Sequence, residues 1–133
     1  MAAELLFEHF AINVADPVAV ARWYCEHLGM RIVRQGEAPV HMHFLADSTG
    51  RVVLEIYCNP PDLIPDYPAQ HPQVLHIAFA AADVAVERQR LLAAGATPVG
   101  DVATTPAGDR LAMLRDPWGF AVQLTQRAQK MVG

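Results

Sequence analysis

An internal repeat constrains this chain more than any other feature. Residues 8–16 read EHFAINVAD and residues 75–83 read LHIAFAAAD, so His9 and Asp16 return as His76 and Asp83 at one common interval. Each copy then enters a helical stretch that stops near a glycine, Pro17–Leu28 before Gly29 and Val84–Ala94 before Gly95. Asp16 and Asp83 are the expected N-caps. The later parts correspond too: Asp47-Ser48-Thr49-Gly50 precedes RVVLEIYC, and Asp116-Pro117-Trp118-Gly119 precedes FAVQLTQ, which brings Glu55 and Gln123 to equivalent places. Between the copies, Asn59–Pro72 holds five of the ten prolines, a composition that resists both helix and central strand and reads as a linker.

The expected elements are a strand at 5–14, a helix at 17–28, strands at 30–35, 40–46 and 51–58, then a strand at 74–82, a helix at 84–94, and strands at 97–101, 109–115 and 119–126. This is an α+β chain of two tandem βαβββ modules, 5–58 and 73–126, joined by the linker 59–72 within one domain spanning 1–133. A four-stranded sheet with one helix covers a single sheet face, so neither module is expected to be stable without a partner for the other face. With 133 residues, 53% of them hydrophobic, the chain has enough apolar surface for a core without staples. Cys25 and Cys58 form no CxxC pair and are expected to be packed, reduced thiols.

Composition narrows the partners. Ten basic residues oppose fourteen acidic ones, and all the basic residues except Lys130 are singly scattered arginines, so no basic stripe exists for a nucleic-acid backbone. No apolar run approaches the length of a membrane span, and Met1–Phe10 lacks the pattern of a secretory signal, which makes a cytoplasmic protein the expectation.

Strand side chains alternate faces, which sorts the outer strands of each module by parity. One face collects Phe10, Ile12 and Val14; Val52, Leu54 and Ile56; Leu75, Ile77 and Phe79; and Phe120, Val122 and Leu124, a core suited to lie beneath a helix. The opposite face collects His9, Ala11 and Asn13; Val53, Glu55 and Tyr57; His76, Ala78 and Ala80; and Ala121, Gln123 and Thr125. One ligand-type side chain per strand, at equivalent positions of a duplicated unit, suits a divalent cation, whose nitrogen and oxygen donors must converge on it. The expected ligands are His9, Glu55, His76 and Gln123. An ionised Glu55 among Ala and Val is costly unless a cation or donor compensates it. His41 and His43 form an H-x-H pair, expected to be exposed or on a cavity rim.

In the duplicated βαβββ unit, the EHFAINVAD and LHIAFAAAD strands, the D-P-W-G-F turn at Asp116–Phe120 and the strand-end acid or amide, the chain resembles the vicinal oxygen chelate superfamily. That group holds glyoxalase I, bleomycin-resistance proteins and extradiol dioxygenases, and the resemblance runs from Phe7 to Thr125. It implies an eight-stranded, cup-shaped or incomplete-barrel sheet with helices outside, a homodimer, and metal ligands at the four positions above. Bacterial-type glyoxalase I carries a glutamate at the place of Gln123 that also serves as a base. An amide cannot take a proton, so Glu55 inherits that task here. An arginine of glyoxalase I maps onto Asn13, while Asn59 agrees with its pattern, so Asn13, Tyr57 and Asn59 are the expected substrate contacts and glutathione is not the expected substrate.

The resemblance implies a metal-dependent lyase or isomerase acting on a small hydroxy-carbonyl or vicinal-dioxygen substrate. The cation, one of Zn, Ni, Mn, Co or Fe, would stabilise an enolate. Two other readings stay open: an Fe(II) dioxygenase using His9, His76 and Glu55, and a metal-free drug-binding resistance protein whose cleft uses Trp23, Tyr57 or Trp118.

Overall fold

A computed structural model describes residues 3–51 and 53–132 of the chain. They divide into two compact units, 1–65 and 66–133, with the division falling inside the proline-rich stretch. Val52, expected in the core, lies outside the described residues.

The first unit runs β1 (His9–Asn13), α1 (Pro17–Leu28), β2 (Arg31–Gln35), β3 (His43–Ala46) and β4 (Val53–Tyr57). The second runs β5 (Ile77–Ala80), α2 (Val84–Ala93), β6 (Thr97–Thr104), β7 (Arg110–Arg115) and β8 (Ala121–Gln126). The eight strands form two open four-stranded sheets, ordered β1-β4-β3-β2 and β5-β8-β7-β6. In each, the first and last strands of the unit lie parallel at one side, and the remaining pairs are antiparallel. Parallel neighbours need a long crossover, here the helix and the hairpin strands between them.

Both helices start as the sequence requires. Asp16 accepts a hydrogen bond from the Ala19 N–H at 3.1 Å, and Asp83 accepts one from the Val86 N–H at 3.2 Å. Pro17 occupies the first turn of α1, where its missing N–H has no cost, and Gly29 closes the helix in the left-handed region. Pro17, Val20, Ala21 and Tyr24 recur at helical spacing as the buried stripe of α1, which packs on β3 and β4. Val84 and Leu91 anchor α2 on its own sheet, and Gln126 Oε1 accepts from the Val84 N–H at 2.9 Å, tying that helix start to β8.

The parity sorting holds for the strands at the centre. Leu54, Ile56, Phe120, Val122 and Leu124 are all buried, as are Ile12 and Val14. Phe10 departs from the expected core and is 43% exposed. It shares a register position with buried Leu54, but β1 is an edge strand with no neighbour beyond it. Leu75, Ile77 and Phe79 are half-buried for the same reason, since β5 is the matching edge.

The linker contributes one 3-10 turn, Tyr67–Ala69, whose Tyr67 is buried against Phe120 with ring centroids 5.0 Å apart. Arg115 secures this segment, donating to the carbonyls of Tyr67 and Gln70 at 3.1 and 2.8 Å, and to that of Gly119 at 2.9 Å. In the D-P-W-G turn, buried Asp116 accepts from the N–H groups of Trp118 and Phe120.

Candidate metal centre

The face of the first sheet turned away from α1 carries His9 and Glu55 together. Register pairs Ala11 with Glu55, so His9 stands two residues before the direct partner, a diagonal that long side chains can bridge. His9 Nε2 lies 3.3 Å from Glu55 Oε1. On the other side of the ring, Nδ1 stands 2.8 Å from Glu8 Oε1. A carboxylate only accepts, so Nδ1 donates to Glu8, and by the same rule the approach of Nε2 to Glu55 needs a proton on Nε2 or a cation between the two atoms. Phe44 meets the imidazole edge-on, with centroids 5.3 Å apart and planes at 89°, which limits rotation of the ring.

The second unit repeats the offset. Ala78 pairs with Gln123, and His76 stands two residues earlier, as His9 stands before Ala11. His76 Nδ1 is 2.8 Å from the Pro72 carbonyl oxygen, and a carbonyl only accepts, so Nδ1 donates. An acceptor that fixes the tautomer in this way is the usual companion of a histidine ligand. Glu8 plays that part for His9 and the Pro72 carbonyl for His76. Imidazole nitrogen, carboxylate and amide oxygen are donor types that suit a borderline divalent cation. Among the described residues, no group of three or more His, Cys, Asp or Glu side chains is gathered as a metal cage. In the first unit His9 and Glu55 stand together, and in the second the strand register gives Gln123 and the residue two before Ala78 the matching diagonal.

Other expected site residues have different surroundings. The Asn13 side chain is engaged with the segment after β4: its Nδ2 donates to the carbonyls of Pro60 and Leu63 at 2.8 and 3.1 Å, and its Oδ1 accepts from the Asn59 N–H at 2.6 Å. Asn59 thus meets Asn13 through its backbone, while Tyr57 is half-buried at the end of β4. The H-x-H pair is corrected. His43 is 2% exposed and pairs with Ile56 on the helix-covered face, and its Nδ1 donates to the His41 carbonyl at 2.6 Å. His41 precedes the strand with φ of 49°, so the two imidazoles do not share a strand face. Cys25 and Cys58 are free and half-buried; burial, and then the neighbouring Glu26, push the Cys25 thiol up. Trp23 packs in the core, whereas Trp118 is 36% exposed.

Sequence reading missed the environment of the His9–Glu55 pair. A cavity of about 290 Å³ opens beside it, lined by Glu8, Val33, Arg34, Phe44 and Val53. Its β2 residues come from a segment with weak patterning, and a register shift there hides their facing.

The family model described as Glyoxalase/Bleomycin resistance protein/Dioxygenase superfamily matches residues 6–124. The chain belongs to that superfamily. Solved structures of similar fold include TnmS3, an antibiotic binding protein from Streptomyces sp. CB03234, at 23% identity and TM-score 0.72, covering 96% of this chain and 99% of that one. Glyoxalase I from Zea mays matches at 23% identity and TM-score 0.72 over 92% of this chain and 44% of that longer one. TioX from Micromonospora sp. ML1 matches at 21% identity and TM-score 0.67, covering 90% and 97%. No curated protein matches the chain. The superfamily thus includes enzymes and antibiotic binders on one fold, and fold alone does not choose between them. No helix among the described residues is long and apolar enough to cross a membrane.

Proposed function

We propose that this superfamily member is a metal-dependent lyase or isomerase of the glyoxalase type, with His9, Glu55, His76 and Gln123 as the ligand set of a divalent cation and a homodimer as its working form. The observation that carries this reading is the His9 Nε2–Glu55 Oε1 approach of 3.3 Å, with Nδ1 committed to Glu8. A bound divalent cation would supply Lewis-acid polarisation of two substrate oxygens.

The chain's own residues do the rest. Glu55 is 18% exposed in its side chain, wet enough to exchange a proton and shielded enough to act on a bound ligand. As the sole carboxylate of the proposed set, it takes the proton from the carbon beside the substrate carbonyl and returns it to the neighbouring carbon. Gln123 adds no charge, so a dication bound by this set keeps a net charge near +1 and favours an anionic transition state. His9 is held by Glu8 and Phe44, and Asn13 holds the Asn59–Leu63 segment beside β4.

Exchange of the substrate α-proton with deuterated solvent tests this assignment. In Glu55→Gln the exchange is expected to fall by about a hundredfold or more while cobalt(II) still binds. Undiminished exchange with metal bound would remove Glu55 from the role of base. The likeness to TnmS3, an antibiotic binding protein, supports one second reading, a metal-free drug-binding resistance protein. Absence of metal from tag-free protein purified without chelators, together with no thermal shift on adding any of the candidate cations, would favour that reading.

A further inference from the structure

The cavity beside the His9–Glu55 pair is lined by a cationic side chain whose placement depends on an irregularity in the sheet. β2 and β3 pair Ile32 with Leu45 and then Arg34 with Phe44, passing over Val33. In an unbroken register Val33 would face Phe44, and Arg34 would turn to the helix-covered side opposite buried His43. The bulge adds one residue and re-aims the rest of the strand, a device common beside functional sites. As a result Ala11, Glu55, Phe44 and Arg34 form one cross-strand row on the face turned away from α1. Arg34 and Phe44 both line the cavity. Among the described residues Arg34 makes no hydrogen bond or ion pair, and the neighbouring Glu8 carboxylate is committed to His9 Nδ1.

Adjacent strands lie about 4.8 Å apart, so the two steps from β4 through β3 to β2 separate the Glu55 and Arg34 backbones by roughly 10 Å. The Phe44 side chain stands between them. At about 290 Å³ the cavity is near the lower end of small-ligand pockets, room for one substituted ring.

We propose that Arg34 is a specificity-determining residue that selects substrates bearing a carboxylate across a flat apolar spacer, with the spacer on Phe44 and the two chelating oxygens at His9 and Glu55. The inference rests on the ligand set proposed above, but it concerns the opposite end of the substrate. A guanidinium binds a carboxylate through paired charge-assisted hydrogen bonds, and a neutral end group gains nothing from it.

Two probes separate these contributions, catechol and 3,4-dihydroxybenzoate, which share vicinal oxygens and differ by the carboxylate. Calorimetric titration of the full chain, with and without cobalt(II), is expected to show the carboxylated probe binding about tenfold tighter or better in both states. In Arg34→Gln the ratio is expected to fall to near one with catechol affinity unchanged, whereas Arg34→Lys retains part of the preference. A wild-type ratio near one, no binding of the carboxylated probe, or a preference that survives Arg34→Gln would overturn the proposal. Cobalt(II) absorption decides the ligand set separately. If no cobalt binds, that set is rejected, and the ratio in metal-free protein still decides the role of Arg34.

Discussion

At Gly119 the backbone has φ of 92°, and an added Cβ would collide with the Pro68 ring and stand 3.0 Å from its nitrogen. Both the turn and the close approach of the 3-10 segment therefore require glycine. Gly119→Ala is expected to cost about 1–3 kcal/mol, read from the urea midpoint at unchanged slope. A midpoint equal to wild type would show that the proline ring moves aside freely. Asp116 and Gly119 were legible as a turn from sequence. Their contact with Pro68 was not, because it depends on where the linker folds back. Asn13 teaches the same lesson: the resemblance marked its position as a substrate contact, and only the fold shows that its side chain also holds the Asn59–Leu63 segment.

Helix ends and hairpins form the next scale, where local chemistry governs. The hairpin between β6 and β7 is fastened by Asp109, whose carboxylate accepts from the Ala128 N–H at 2.9 Å and from Arg127 at 3.2 Å. The Ala128 N–H, and after it Arg127, hold the Asp109 carboxyl below the usual carboxylate range, against a burial cost that pushes it up. A carboxyl lowered in the folded state stabilises the protein above its unfolded value of about 3.9, and that contribution disappears as pH falls through the folded value. Urea titrations at pH 5 and pH 3 are expected to show wild type losing more stability on acidification than Asp109→Asn. Equal losses in the two proteins would place the acid sensitivity elsewhere. At this scale the sequence was readable, since N-cap aspartates, Pro17 and Gly29 act on backbone groups a few residues away. The β2–β3 pairing was not, because a bulge is a property of two strands and shows no period in either one.

For the molecule as a whole, the ligand assignment makes a thermodynamic prediction. A ligand that binds only the folded protein stabilises it by about 2.7 kcal/mol at a hundred times its Kd. Nickel(II), cobalt(II) or zinc(II) in such excess is expected to raise the Tm by several degrees, and the rise is expected to shrink sharply in His9→Ala and His76→Ala. A full shift in both variants, measured by scanning calorimetry, would show the cation binding elsewhere.

Sequence alone determined the duplication, the order of elements, the helix caps and the inward face of the central strands, because each arises from short-range periodicity repeated in two copies. It also gave His9, Glu55, His76 and Gln123 equivalent places in the two copies by parity, although His76 falls just before β5. Tertiary pairing decided the rest. It set the diagonal that brings His9 against Glu55, the acceptors that fix each histidine tautomer, the exposure of Phe10 on an edge, the burial of His43 and the turn of Arg34 into the cavity. These depend on register between segments far apart in the chain, and a shift of one residue there reverses the facing of every later side chain in the strand.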